Sequence, residues 1–492
     1  MLLDVGDRSY FETDPASPLG TDRRQPLLDN FYGNTSAAPN SPYPNLAYAP
    51  MPYEENLGAY YTGPAYNPDN QSGNDPPQFK SSYSRIVGGT TYHWLGISLR
   101  YLPTTFRERT LFDRGADWPL SYEELRPAVP DAGDPADLPG SPDRRADRGH
   151  DVRRAAGPGP GHAAGPQLGA VPGPPAVRRQ RQLHSDLSDP GQVGCHDPDQ
   201  ARAQPGEVTG LVYKDGHTRE DHVIRARAYV MCAHAMETAK ILLMSPWGEQ
   251  MTVANTSDAV GRYLMDHNIK ITTAVIDEPI YPFRGPKATS GIETLRDGPF
   301  RRRRGGFRVE IQNVSANWAL NTPYANLRDL LNANLLGAEL TQQLAWDVTR
   351  TVQLDALVEP EGQWDSTIRP SKHKFDDLGV PRPEIHYRID DYTVRGGDAF
   401  VALAQQIFHR LGAREVNVVP GFGGAGHVMG TLRMGDDPAT SVTDRDGRTH
   451  DHPNLWLTGS GLFPTVDSAN PTLTIAAVTL RQAERLIAAL SG

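Results

Sequence analysis

Near the end of the chain, apolar residues recur three and four positions apart. Leu473, Ala476, Leu480, Ala483, Ile487 and Leu490 follow this spacing, while Arg481, Glu484 and Arg485 lie on other faces. The period predicts a long amphipathic helix that packs along the apolar stripe. Asn470-Pro471-Thr472 opens it. Proline suits a first turn because its missing N–H would have no helical partner there. The same turn leaves free N–H groups and a partial positive charge, which stabilise a group that becomes anionic. Upstream, NLWLT at residues 454–458 is a short apolar strand that runs into Gly459-Ser460-Gly461. Small residues there let the backbone approach a bulky ligand. Phe400, Leu403, Ile407 and Leu411 mark one face of another helix, with Gly412 as its cap. Residues 415–419 then lead as a strand into Gly426-His427-Val428-Met429-Gly430-Thr431, a glycine-rich loop holding one histidine.

Earlier in the chain, VTGLVY, a turn at Asp215-Gly216 and HVIRARAYVMCA predict a hairpin and a further strand, and METAKILLMS a helix. Residues 270–392 are sheet-rich with helical insertions. Within them, Arg301-Arg302-Arg303-Arg304 is a charge run, read as a solvated loop in preference to an anion site. Residues 29–80, rich in Pro, Asn, Tyr and Gly, are an irregular surface segment. Between residues 127 and 205 all periodicity stops. Pro, Arg, Gly, Ala and Asp dominate, and Phe, Tyr, Trp, Ile, Met, Lys, Glu, Thr and Asn are absent. Such a composition cannot bury enough apolar surface to offset its ordering entropy.

The chain has 492 residues, enough for two domains. A net charge of −10 gives no electrostatic footprint for nucleic acid or an anionic membrane. Two cysteines, Cys195 and Cys232, are too few for a disulfide framework or a cysteine-rich metal site, and no metal site is expected. No apolar run approaches membrane-spanning length, and MLLDVGDRS is not a signal segment, so the default location is cytoplasmic. Mean hydropathy is −0.53, low for an enzyme of this size and lowered partly by residues 127–205.

The order and spacing of HVMGTLRMG, SVTD, NLWLTGSGLFPT and NPTLTIAA resemble the C-terminal part of the glucose–methanol–choline (GMC) oxidoreductases, which are FAD enzymes. HDHPNLW and SANPTLT are most similar to the branch of gluconate and fructose dehydrogenase flavoprotein subunits and pyranose oxidases. The resemblance implies His427 as active-site base and Asn470 as its partner. It turns the N-terminus of the last helix, with Pro471 and Thr472, towards the flavin, beside Gly459, Ser460 and Gly461. It implies oxidation of a CH–OH group of a sugar, sugar acid or related alcohol, by hydride transfer to flavin N5. The electron acceptor stays open, and a small subunit and a cytochrome accompany some relatives.

A second landmark is Arg85, then Gly88-Gly89-Thr90-Thr91, then His93-Trp94. Consecutive N–H groups and hydroxyls there suit pyrophosphate or the flavin edge. In the resembled branch, a His-Trp of this kind carries FAD covalently; the alternative for His93 is a buried, hydrogen-bonded histidine. VGRYLMDHN at residues 260–268 is also family-like, with His267 expected to be a satisfied structural histidine. Asp4, at the end of MLLD, matches the acidic residue that binds the adenosine ribose.

No GxGxxG precedes Asp4, so the expectation is a start inside the Rossmann unit. The resemblance lapses after DWPLSYEELRP and resumes at GEVTGLVYKD. Pro, Arg, Gly and Ala are residues of GC-rich codons, which suggests DNA read in another frame between these points. His150, His162, His184, Cys195 and His196 then carry no function.

The expected fold is α/β (α+β overall): an incomplete Rossmann-like FAD-binding domain with a sheet-based substrate domain. Residues 1–126 form part of the FAD domain with cap loops, 127–205 the aberrant segment and 206–269 the FAD domain continued. Residues 270–395 form the substrate domain and 396–492 the catalytic and FAD-binding C-terminal segment. On this reading the polypeptide as written binds little or no FAD. The rival readings are an inactive remnant of such an enzyme and a carbohydrate-binding module.

Overall fold

The computed structural model describes residues 79, 81, 97–126, 206–215, 218–248, 251–282, 288–313, 330–376 and 378–491, with the backbone of residues 60–61, 83–84 and 193–194. All belong to one of two units, Met1–Pro130 with Leu187–Gly492; the other, Asp131–Asp186, lies outside the described residues. Helix and strand are mixed throughout, as an α/β reading requires.

The predicted hairpin forms from β1 (Leu211–Lys214) and β2 (Asp221–Ile224), which pair antiparallel. Next, β3 (Tyr229–Met231) leads into α1 (Ala235–Met244), the METAKILLM helix of the sequence. His234 closes the turn between them with φ 71°, and its side chain accepts from the Met236 amide. The partner of β3 lies far along the chain. It is the apolar NLWLT strand, here β12 (Leu455–Leu457), running parallel with Leu455 opposite Tyr229 and Leu457 opposite Met231. All three residues of β12 are buried, as expected of a parallel strand covered on both faces. Met231, Ala239, Leu242, Leu455, Leu457, Leu462, Phe463, Met429, Ala477 and Val478 belong to one core. Burial of each large aliphatic side chain contributes about 1.5–3 kcal/mol.

The second large element is an antiparallel sheet of β5 (Ala288–Ile292), β6 (Phe307–Gln312), β7 (Thr351–Val358), β4 (Asn268–Val275) and β10 (Arg414–Val418), in that order, with β11 (Gly423–Gly424) on the far end of β4. Alternation sends Phe307, Val309, Val352, Leu354, Ala356, Val358 and Ala274 to one face, where Phe400, Ala404 and Phe408 of α3 (Asp391–Arg410) cover them. The register puts Arg308, Glu310, Gln312, Gln353 and Asp355 on the other face. Before β7 comes α2 (Gly337–Arg350), and β8 (Thr367–Phe375) pairs with β9 (Pro381–His386). Gly412 ends α3 as expected, with φ 64° and its amide on the His409 carbonyl at 3.1 Å. Leu411 does not share the buried face; it is exposed.

The last helix, α4 (Thr472–Ser491), forms where predicted but packs by another face. Thr474, Ala477, Val478, Arg481 and Gln482 are buried, whereas Leu480, Ile487 and Leu490 are 52%, 64% and 38% exposed. Polar ties explain the rotation. Arg481 Nη1 reaches the Arg445 carbonyl at 3.0 Å and Asp446 Oδ1 at 2.5 Å, and Gln482 donates to the Leu457 carbonyl at 3.4 Å. The arginine run is likewise not a uniform solvated loop. Arg302 and Arg303 are exposed, but Arg301 is buried because Glu359 supplies a two-bond partner at 2.6 and 3.0 Å. Among the described residues no helix is long and apolar enough to cross a membrane.

Candidate active site

Two segments distant in sequence run side by side at the site. Met265 and Met429 exchange both backbone hydrogen bonds, at 2.9 Å each, as an antiparallel bridge. Two residues further along in opposite directions stand His267 and His427, which therefore face each other across the bridge. Their rings meet edge to face, with the two Nδ1 atoms 2.8 Å apart. The loop after His427 needs Gly430. Its φ is 90°, and a Cβ there would lie 2.2 Å from the Tyr263 carbonyl oxygen. On the other side, the 3-10 turn Ser460–Leu462 binds the same loop. Ser460 Oγ donates to the Val428 carbonyl at 2.6 Å, and the amides of Gly430, Leu432 and Met434 donate to the carbonyls of Ser460, Gly461 and Leu462.

His427 is held by two further polar contacts. Its amide donates to Asp266 Oδ1 at 2.9 Å, and Asn470 Nδ2 stands 3.3 Å from its Nε2. Asp266 also accepts from Ser81 Oγ. Burial pushes the Asp266 carboxyl up to about 6, against the pull of Ser81 and the His427 amide. His267 is fully buried, and its Nε2 meets the backbone carbonyl of Asp467. Burial lowers its imidazole to about 4, partly opposed by the Asp467 carbonyl. Loss of hydration, then the neighbouring His267, holds His427 well below 6.5. Both rings are therefore neutral at pH 7. His427 itself is partly exposed.

Asp467 is anchored by its side chain. The carboxylate accepts from the Leu102 amide at 2.6 Å, Thr105 Oγ1 at 3.2 Å and Arg296 Nε at 3.1 Å. Burial opposes its charge, but Arg296 and Arg301 outweigh this and hold the carboxyl below its usual range.

The structure thus brings together His427, Asn470, Gly459, Ser460, Gly461, Pro471 and Thr472. Among the described residues, buried Asn470 Oδ1 has no hydrogen-bond partner. Gly459 has φ 102°, and among the described residues nothing lies within 4 Å of where a Cβ would stand. The helical bonds of α4 begin with the Ile475 amide on the Pro471 carbonyl, so the preceding amides of the first turn have no helical acceptor. Asp4, Arg85, Gly88, Gly89, Thr90, Thr91, His93 and Trp94 lie outside the described residues, as do the five His and Cys positions of residues 127–205.

His267 is the residue whose partnership sequence reasoning missed. It is buried and hydrogen-bonded at both ring nitrogens, as expected, but one of those bonds makes it the immediate partner of His427, 160 positions away. The available signal was its place in VGRYLMDHN, directly before a strand; the pairing register was not readable. His452 shows the structural alternative, with one ring nitrogen accepting from the Ala254 amide at 3.0 Å and the other on the Gly206 carbonyl at 2.7 Å.

Comparison with known proteins gives a consistent picture. Residues 364–479 match the C-terminal domain of the GMC oxidoreductases. The chain is 27% identical to the fructose dehydrogenase large subunit of Gluconobacter japonicus, over 91% of this chain and 87% of that protein. It is 26% identical to paromamine 6'-oxidase of Streptomyces fradiae, over 85% of this chain and 81% of that protein. A pyranose 2-oxidase of Tricholoma matsutake is 22% identical over 59% of this chain and 52% of its own length. Among solved structures, pyridoxine 4-oxidase from Mesorbium loti superposes with a TM-score of 0.51 at 16% identity, covering 82% of this chain and 84% of its own; this supports the fold.

Proposed function

We propose that this chain, which carries the C-terminal domain of the GMC oxidoreductases, oxidises a CH–OH group of a sugar, sugar acid or related small alcohol with His427 as the base. The observation that carries the proposal is the geometry at His427: a neutral, partly exposed imidazole whose Nε2 sits 3.3 Å from Asn470 at the mouth of α4. A neutral imidazole can accept the hydroxyl proton, a contribution of about 10²–10⁴-fold. Asn470 orients the hydroxyl. Its Nδ2 can donate to the substrate oxygen, and its orphaned Oδ1 can take a second polar group.

FAD is the cofactor that fits. Gly459 gives open backbone, and the first-turn amides of α4 offer donors to an electron-rich ring edge. Gly459, Ser460, Gly461, Pro471 and Thr472 would border it, with Asp4, Arg85, Gly88, Gly89, Thr90, Thr91 and Trp94 as the proposed remaining contacts and His93 as the proposed covalent attachment point. When bound, FAD supplies the two-electron acceptor for the hydride released from the substrate carbon. A small subunit and a cytochrome would fit the likeness to a dehydrogenase large subunit.

The test is direct. Flavin absorbance after reconstitution first decides whether the polypeptide as written binds FAD or, as expected from its sequence, little of it; loaded protein is then offered sugars, sugar acids and polyols with an artificial electron acceptor or oxygen. Turnover of one class, abolished by His427→Ala, supports the reading. Visible flavin absorbance without turnover of any alcohol would overturn it, and absence of both would mark an inactive remnant.

A further inference from the structure

We infer that His267 is a positioning residue that selects the tautomer of His427, leaving the bare nitrogen of the base on Nε2, beside Asn470. The inference rests on the reading of His427 as the base and adds the group that aims it.

The argument follows the direction of each hydrogen bond. The Asp467 backbone carbonyl has no proton to give, so His267 must donate to it from Nε2. A neutral imidazole carries one N–H, so Nδ1 of His267 is then bare and can only accept. The atom facing it at 2.8 Å is Nδ1 of His427, which must therefore be the donor. That leaves Nε2 of His427 without a proton, opposite the Asn470 amide at 3.3 Å, which can donate to it. The bonds run in one direction, from Asn470 through His427 and His267 to the Asp467 carbonyl. Reversing any one of them would place two protons, or none, between neighbouring polar atoms.

The terminus of this chain of bonds is fixed from outside. Arg296, Thr105 and the Leu102 amide hold the Asp467 carboxylate, and that residue's carbonyl sets the His267 tautomer. His267 has no exposed surface, so water cannot take over its bond. The burial that keeps both rings uncharged favours the same arrangement, since an imidazolium at His267 would donate from both nitrogens and impose the opposite tautomer on His427.

The experiment is a long-range proton–nitrogen correlation spectrum of the full-length protein labelled with ¹⁵N-histidine, at pH 7. His427 is expected to show a protonated Nδ1 and a bare Nε2. Two substitutions separate aiming from mere packing. In His267→Asn the amide oxygen can stand in for the accepting nitrogen, and the His427 pattern should persist. In His267→Leu no acceptor remains, and the pattern should shift towards a protonated Nε2. Turnover of the reconstituted enzyme should follow, falling about 10²–10⁴-fold in the leucine variant and recovering largely in the asparagine variant. A protonated Nε2 in the unmodified protein, or an unchanged pattern in a folded His267→Leu, overturns the inference. The base reading fails separately, if His427→Ala keeps full turnover. Should the leucine variant not fold, the spectrum of the unmodified protein decides alone.

Discussion

Two buried polar clusters meet at Asp467 and treat charge in opposite ways. Around Arg301, one ion pair is kept. The guanidinium binds Glu359 through two bonds, touches Thr104 at 3.2 Å and lies 3.9 Å from Glu108. Burial, then the Glu359 carboxylate, pushes Glu108 well above the ordinary carboxylate range. Around His427, charge is suppressed. Two imidazoles face each other with, among the described residues, no carboxylate on either ring nitrogen, and loss of hydration keeps both neutral. The difference separates a scaffold from a reactive centre. A paired ion cluster gains specificity of assembly but cannot exchange a proton cheaply. A neutral ring with one bare nitrogen can accept one.

The comparison predicts that damage to each cluster has a different signature. His427→Ala should lower turnover by about 10²–10⁴-fold while the denaturant midpoint stays near that of the unmodified protein. Arg301→Met should do the reverse. Removing one partner leaves Glu359 buried and uncompensated, which costs about 3–5 kcal/mol in denaturant unfolding. Turnover per folded, flavin-loaded molecule should change little. Asn470→Ala comes next, with a loss of roughly tenfold in turnover, the scale of one hydrogen bond at about 1.4 kcal/mol.

The smallest effect is a pH dependence of stability. His267 takes up its proton at about 4 in the folded chain and near 6.5 when unfolded. Between these values the unfolded chain binds more protons, so stability falls as pH falls from 6.5 towards 4. His427 acts in the same direction. Asp266 opposes them, because its folded value of about 6 exceeds the ordinary 3.8 and favours the folded state at lower pH. His267→Asn should therefore flatten the decline in denaturant midpoint between pH 7 and pH 5. An unchanged decline would assign it to other groups.

What the sequence made legible follows from how local each signal is. The β3–α1 step, β12 and the opening of α4 were readable because strand runs, Gly-Ser-Gly and Asn-Pro-Thr carry their own geometry. His427 and Asn470 came from a motif resemblance, and the structure brings them within hydrogen-bond reach. The His267 partnership was not readable, because it arises from the Met265–Met429 register between segments far apart in the chain. Burial of Arg301 depends on Glu359, likewise distant. The apolar stripe of α4 pointed to the wrong face because Arg481 and Gln482 find polar partners below the helix. Periodicity counts apolar side chains and is blind to such bonds.

The central claim is that His427 removes the proton that allows an alcohol to be oxidised. The most direct measurement is the rate of flavin bleaching after anaerobic mixing of FAD-loaded protein with a sugar or alcohol substrate. Unmodified protein and His427→Ala are compared at equal flavin content and saturating substrate. Bleaching slowed by orders of magnitude in the variant, with flavin still bound, is the predicted result. Equal rates in the two proteins would contradict the account.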